Sequence, residues 1–172
     1  MSTPDHFALL GLAPRFALDL GELEAAYKRV QAQVHPDRFA VASAAEKRVA
    51  MQWATRANEA FTVLRDPQQR AAYLCELHGV PIEAESNTAM PTSFLMQQMQ
   101  WREALDEVAD DAARAQLRSE VDAVRATLLS DLGRALDAAH DYRGAAALVR
   151  QLMFIDRFSS EVAHAARVAE GH

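Results

Sequence analysis

The sequence predicts an all-α protein in two parts: a helical hairpin led by a short helix, then an antiparallel three-helix bundle. Three observations carry that expectation. Apolar residues recur at three- and four-residue spacing through most of the 172 residues. Helix-starting signals, an Asp or Ser followed by an acidic residue or a proline, stand before those runs. Alanine, the strongest helix former, dominates an apolar set that makes up half the chain, and no strand, repeat or low-complexity tract interrupts the pattern.

In chain order, a short helix is expected over residues 5–10, with Phe7 and Leu10 on one side and Gly11 as its stop. Asp19 and Glu22 have the spacing of a capping box, and Leu20, Leu23, Tyr27, Val30 and Val34 form the apolar stripe of the next helix. Lys28 and Arg29 fall off that stripe, onto a face left to water or a partner. The helix must break within Val34-His35-Pro36-Asp37-Arg38, because the proline ring disfavours the α conformation at His35 and supplies no backbone donor. Ser43 and Glu46 open a second long helix, antiparallel to the first, with Ala50, Trp53, Ala57, Ala60, Phe61 and Leu64 at helical spacing. Asp66-Pro67 starts another, through Tyr73 and Leu77 to Gly79.

Residues 80–91 have prolines near both ends and no periodicity, and are expected to link a domain at 1–79 to one at 92–172. In the second domain, Thr92 or Ser93 is expected to cap a helix from Phe94 to about Val108. Asp110 or Asp111 caps one through Leu117, Val121, Val124, Leu128, Leu132 and Leu136, ending near His140. Asp141 caps the last, with Leu148, Leu152, Ile155, Val162 and Val168 as its core face. Gly133 and Gly144 are expected to weaken these two helices slightly.

The net charge of −6 is uneven: residues 1–79 hold nine basic and nine acidic side chains, residues 80–172 nine basic and fifteen acidic. An acidic second half argues against a binder of duplex nucleic acid, which needs a basic face to displace counterions. No apolar run approaches the roughly 20 residues of a membrane span, and no leader pattern opens the chain, so the cytoplasm is expected. The lone Cys75 excludes an internal disulfide and a thiol zinc site, and reads as a small buried apolar residue. His6, His78, His140, His164 and His172 have no i, i+4 pairing that suggests a metal, and no cofactor is expected. Trp53, Trp101, Tyr27 and Phe61 read as core or interface rather than stacking platforms.

His35 and Asp37 invite an acid–base reading, since imidazole titrates near neutrality and a carboxylate can hold its tautomer. No serine, cysteine or metal-ligand cluster nearby offers a nucleophile, and no glycine-rich loop is available to cradle phosphate. The chain is therefore not expected to be an enzyme.

Residues 1–79 resemble a J domain, through Phe7-Ala8-Leu9-Leu10-Gly11, Ala26-Tyr27-Lys28-Arg29 and His35-Pro36-Asp37. The second half is similar to the HscB family, the J-type co-chaperones of iron–sulfur cluster biogenesis. Phe94-Leu95-Met96, Arg102-Glu103, Leu105-Asp106-Glu107 and Leu152-Met153-Phe154-Ile155-Asp156 carry that likeness, with Tyr73-Leu74 and Leu77-His78-Gly79 at the end of the first part. The resemblance implies that Tyr27, Lys28, Arg29, His35, Pro36, Asp37 and Arg38 bind an ATP-charged HscA/DnaK-class chaperone. It also implies that Leu95, Met96, Met99, Glu103, Glu107 and Phe154 bind IscU, the scaffold on which clusters form. Spacing alone shows only that the first five of these share a helix face, apolar at one end and acidic at the other.

Two positions depart from the family pattern: Glu24 stands where many J domains carry a basic residue, and Gln100 replaces an expected acidic one. A monomer is expected. A general J protein that delivers unfolded polypeptides remains the alternative.

Overall fold

The computed structural model describes residues 3–87 and 89–171, so Met1, Ser2, Thr88 and His172, the last of the histidines considered above, lie outside the described residues. Among the described residues all regular structure is helical, and the chain divides into two compact units, Met1–Leu74 and Cys75–His172.

In the first unit, α1 (His6–Leu9) is capped by the Asp5 carboxylate, which accepts from the Ala8 N–H at 2.9 Å, and Gly11 turns the chain away at φ 70°. Asp19 caps α2 (Leu20–Val34) as its spacing predicts, accepting from Gly21 at 2.7 Å and Glu22 at 3.3 Å. Ser43 does the same for α3 (Ala44–Arg65), accepting from Glu46 at 3.2 Å. The face that α3 buries is built from Ala50, Ala57 and Ala60, small residues that let neighbouring helices approach closely, and from the larger Leu64. Leu23 and Ala26 are the buried residues of α2. Leu20 departs from the expected stripe: it is 57% exposed, because as the first helical residue it lies on the rim of a groove with Phe61 and Pro67.

The start of α4 (Pro67–Leu77) closes this unit. Arg70 is buried, donating from Nε to the Phe16 carbonyl at 2.8 Å and from Nη1 to the Leu64 carbonyl at 2.6 Å, with its guanidinium 5.0 Å from the Phe16 ring centroid. Two residues on from Ala71, the Tyr73 hydroxyl accepts from the His6 N–H at 2.9 Å while the two rings stack at 4.4 Å. Residues 75–77 of α4 fall in the second unit.

The second unit is the antiparallel bundle of α5 (Thr92–Asp106), α6 (Asp111–Gly133) and α7 (Tyr142–Glu170), with a π-helical turn over Arg134–Ala138 extending α6. Neither Thr92 nor Ser93 caps α5. Pro91 occupies that position with φ −56° and ψ 142°, and its carbonyl accepts from Phe94 and Leu95 at 3.0 and 3.1 Å. The proline ring presets the extended residue before the helix, so no side-chain cap is needed to turn the chain. Asp110, not Asp111, caps α6 through the Ala113 N–H at 2.7 Å.

Phe94 and Trp101 from α5, Leu117, Val121, Leu128, Leu132 and Leu136, and a long face of α7 make the core. On α7 the buried stripe runs through Ala145, Val149, Leu152, Ile155, Phe158 and Val162; Leu148 is half-buried and Val168, near the helix end, is 48% exposed. Gly144 also departs from expectation. Asp141 caps α7 by accepting from the Gly144 N–H at 2.9 Å, and a Cβ on residue 144 would meet the same carboxylate at 2.2 Å. Glycine there admits the cap rather than merely weakening the helix. Among the described residues no helix is long and apolar enough to cross a membrane.

Candidate functional site

At the end of α2 the chain behaves as Pro36 requires. His35 is extended at φ −61° and ψ 138°, and Pro36–Phe39 form a single 3₁₀ turn. The turn is held locally: the Asp37 N–H donates to His35 Nδ1 at 3.2 Å, and the Arg38 N–H to the His35 carbonyl at 3.0 Å. His35, Pro36, Asp37 and Arg38 are all exposed, the Asp37 side chain at 94%.

That geometry bears on the acid–base reading. Nδ1 of His35 is the acceptor of a backbone N–H, so in the neutral ring the proton sits on Nε2. The Asp37 carboxylate, 3.6 Å from Nδ1, then faces an acceptor nitrogen and is not placed to orient a base. Among the described residues no group of three His, Cys, Asp or Glu side chains is arranged to hold a metal ion.

Lys28 and Arg29 are exposed on α2 as expected, but they are not equivalent. Lys28 Nζ pairs with Glu24 Oε1 at 3.2 Å, whereas no carboxylate among the described residues lies within ion-pair distance of Arg29. Glu24 thus thins the positive surface by direct pairing. Tyr27 sits in the seam of the hairpin: its ring stacks on Phe61 at 4.5 Å, and its hydroxyl donates to Asn58 and accepts from Gln31 Nε2 at 2.8 Å. Its ring is committed to holding α2 against α3. Periodicity did not anticipate an apolar groove of about 370 Å³ beside the turn, lined by Val34, Pro36, Phe39, Ala40, Lys47 and Met51 among others. Met51 is 71% exposed and Val41 fully so.

In the second unit, Leu95, Met96 and Met99 are 43%, 56% and 72% exposed, which removes them from the bundle core. Below them on α5 opens a groove of about 660 Å³, lined by Gln98, Met99, Arg102, Glu103, Asp106, Glu107 and, from α7, Phe154. It brings together four of the six residues expected on the scaffold-facing surface. Leu95 and Met96 lie outside it on the same helix, and Gln100 is exposed without lining it. Phe154 is half-buried, edge-on to Phe94 at 5.9 Å and stacked on Phe158 at 6.2 Å, so its ring is a fixed wall.

Arg102 and Asp106 carried the family likeness but were not expected on the scaffold-facing surface, although each lies three residues beyond one that was, Met99 and Glu103. The Arg102 guanidinium lies 5.2 Å from the Phe158 centroid and pairs with Glu161, joining α5 to α7. The shared hydrogen bond holds the Glu161 carboxyl below its ordinary range and the guanidinium above its own. With its one cation already paired, the groove presents Glu103, Asp106 and Glu107 as a negative rim beside apolar Met99 and Phe154. Such a rim favours a partner that is basic as well as apolar.

Cys75 is buried, and burial pushes its thiol up to about 11; its sulfur donates weakly to the Tyr142 carbonyl at 3.6 Å.

Comparison with known proteins places these features. Residues 5–73 match the family model of the DnaJ domain, and residues 90–163 that of the HSCB C-terminal oligomerisation domain. A co-chaperone protein HscB homolog of Bordetella petrii is 55% identical over 166 residues, covering 96% of this chain and 98% of its own. Among solved structures, chaperone HscB from Vibrio cholerae superposes with a TM-score of 0.81 at 34% identity, over 98% of this chain and 99% of its own. The human co-chaperone protein HscB superposes with a TM-score of 0.87 at 27% identity, over 95% of this chain and 82% of its own.

Proposed function

The chain belongs to the HscB family of co-chaperones, and from that premise we propose that it binds the iron–sulfur scaffold IscU, delivers it to an HscA/DnaK-class chaperone and stimulates that chaperone's ATPase, so aiding cluster assembly and transfer. One observation carries the reading. Two exposed features of different chemistry lie in different compact units: a basic helix face ending in His35-Pro36-Asp37, and an apolar groove with an acidic rim.

The first suits docking on an acidic chaperone surface. Arg29 and Arg38, and Lys28 once released from Glu24, would steer association in a salt-dependent way, with Tyr27 keeping α2 in place. His35, Pro36 and Asp37 are locked into one exposed turn, which can engage a single chaperone conformation and shift its population towards hydrolysis. Binding and nucleotide state are then coupled reciprocally, so the chaperone's nucleotide controls how tightly the J domain is held.

The second suits the scaffold. Leu95, Met96 and Met99 supply a flexible apolar surface, Phe154 a rigid one, and Glu103 and Glu107 the charge. Holding both partners in one chain raises the effective concentration of scaffold at the chaperone's peptide site. We assign the J domain to residues 1–79 and scaffold binding to 92–172, with 80–91 between them. The hydrolytic groups belong to the partner, and the chain itself turns over nothing; the cytoplasm is the compartment we propose.

The test is the ATPase rate of an HscA-class chaperone with the chain and IscU, separately and together. More-than-additive stimulation, abolished by His35→Gln, is the expected result. Absence of stimulation would overturn the reading, and equal competition by an unfolded peptide would replace it with general polypeptide delivery.

A further inference from the structure

A polar cleft of about 340 Å³ lies in the second unit, between the 79–87 segment and the start of α7, and shares no lining residue with the α5 groove. Arg143, Ala146 and Arg150 form one stripe of α7 by their spacing of three and four residues, so an alanine floor separates two guanidinium groups. Opposite them stand Asn87 and Glu83.

Both arginines carry local costs. Arg143 occupies the first turn of α7, where the positive end of the helix disfavours a cation. Arg150 donates from Nη1 to the Ile82 carbonyl at 2.9 Å, but its Nε is buried and finds no hydrogen-bond partner among the described residues. Neither guanidinium has a carboxylate within ion-pair distance among the described residues, a lack they share with Arg118, Arg157 and Arg167 of the same unit, whereas Arg102, Arg114, Arg125 and Arg134 are paired.

The facing wall is built rather than loose. The Glu83 carbonyl accepts from Ser86 and Asn87 N–H groups at 3.2 and 2.7 Å, and Glu83 itself is held at φ 52°. The Asn87 side-chain oxygen accepts from the Ala89 N–H at 3.2 Å, which leaves its amide N–H₂ as a further donor on the cleft. Two guanidinium groups and an amide, set against one carboxylate, make a concave donor array with a net positive charge.

We propose that this cleft binds a small multivalent oxyanion, a phosphate or polycarboxylate, bracketed by Arg143 and Arg150. Glu83 sets its selectivity, repelling a fully ionised anion and accepting a hydrogen bond from one that keeps a hydroxyl. The donors are of the kind that planar carboxylate and phosphate oxygens match best.

Titration calorimetry of the full chain at constant ionic strength, with pyrophosphate in one arm and citrate in the other, tests this. Saturable binding of at least one anion is expected. Arg143→Gln should weaken it about tenfold, as loss of one charge-assisted contact does. Arg118→Gln, an exposed residue of α6 outside the cleft, should change nothing, and Glu83→Gln, which removes the opposing carboxylate, should tighten whichever anion binds. Because Arg150 also holds Ile82, Arg150→Lys, which keeps the charge, is compared with Arg143→Gln only after its circular dichroism matches the parent. Absence of saturable binding of both anions, or equal losses in the Arg143 and Arg118 variants, would overturn the proposal.

Discussion

Replacing Gly144 by alanine sets two effects of similar size against each other. Alanine in place of glycine favours a helix by about 1 kcal/mol. At this position, however, the new Cβ would stand 2.2 Å from the Asp141 carboxylate that caps the helix, so the carboxylate must swing away and lose its 2.9 Å bond from the residue-144 N–H. Losing such a cap costs about 1 kcal/mol. The single variant should therefore be nearly neutral.

The decisive quantity is the coupling. In an Asp141→Ala background the cap is already gone, so Gly144→Ala should stabilise by about 1 kcal/mol. Urea unfolding can be followed through Trp101, which is buried against Phe158 at 5.7 Å in the second unit, with Trp53 of the first unit replaced by phenylalanine to remove its signal. If Gly144→Ala changed stability equally in both backgrounds, within about 0.3 kcal/mol, the glycine would not be serving the cap.

Four other outcomes are expected. His35→Gln should abolish stimulation of the chaperone's ATPase while circular dichroism and scaffold affinity stay unchanged, because the side chain is exposed and bonded only within its own turn. Leu95→Ala with Met99→Ala should weaken IscU binding by about tenfold or more in calorimetry without lowering the melting temperature, since two exposed apolar contacts are lost from the interface alone; Phe154→Ala should weaken it too, with some loss of stability from the packing against Phe94 and Phe158. His6 is partly buried against Tyr73, and burial lowers its pKa below 6.5 despite Glu59 and Asp5 nearby. As pH falls below that value the unfolded chain takes up the proton first, so stability present above it is lost through the folded-state pKa; His6→Gln should flatten melting temperature against pH over that window. Cys75, with its thiol raised to about 11, should react with Ellman's reagent only as the chain unfolds, and immediate labelling of the folded protein would contradict its burial.

The helices were legible where the signal was local. Asp5 and Gly11, Asp19, Ser43, Asp110 and Asp141 act through side chains or backbone within a few residues of themselves, and each start or stop lies where sequence places it. What escaped depends on three dimensions. Leu20 and Val168 obey the helical period yet are exposed, because periodicity does not report where a helix outlasts its neighbours. Gly144 looked like a defect because its value lies in a carboxylate's approach, and Pro91 does by ring geometry what Thr92 or Ser93 was expected to do by hydrogen bonding.

The candidate surfaces divide in the same way. Exposure of His35-Pro36-Asp37 follows from turn chemistry, whereas spacing puts Leu95, Met96 and Met99 on one face without telling that the face is exposed. The pairing of Lys28 with Glu24 was latent in an i, i+4 spacing that was read only as a missing positive charge. Arg102 lies on the α5 face by spacing, but its pairing with Glu161, 59 residues away, is what no local pattern reveals.

Arg70 and Tyr73 also fix a timetable for synthesis. The Phe16 carbonyl waits for a donor 54 residues later, and the His6 N–H for an acceptor 67 residues later, just before the second unit begins at Cys75. At about 5–20 residues per second, His6 is made roughly 3–13 seconds before the tyrosine that fastens it. The leading segment therefore leaves the ribosome unsecured, and its final latch is among the last groups of its unit to be made. A nascent chain truncated before Arg70 should keep its first helix open to protease, and one extended past Tyr73 should protect it.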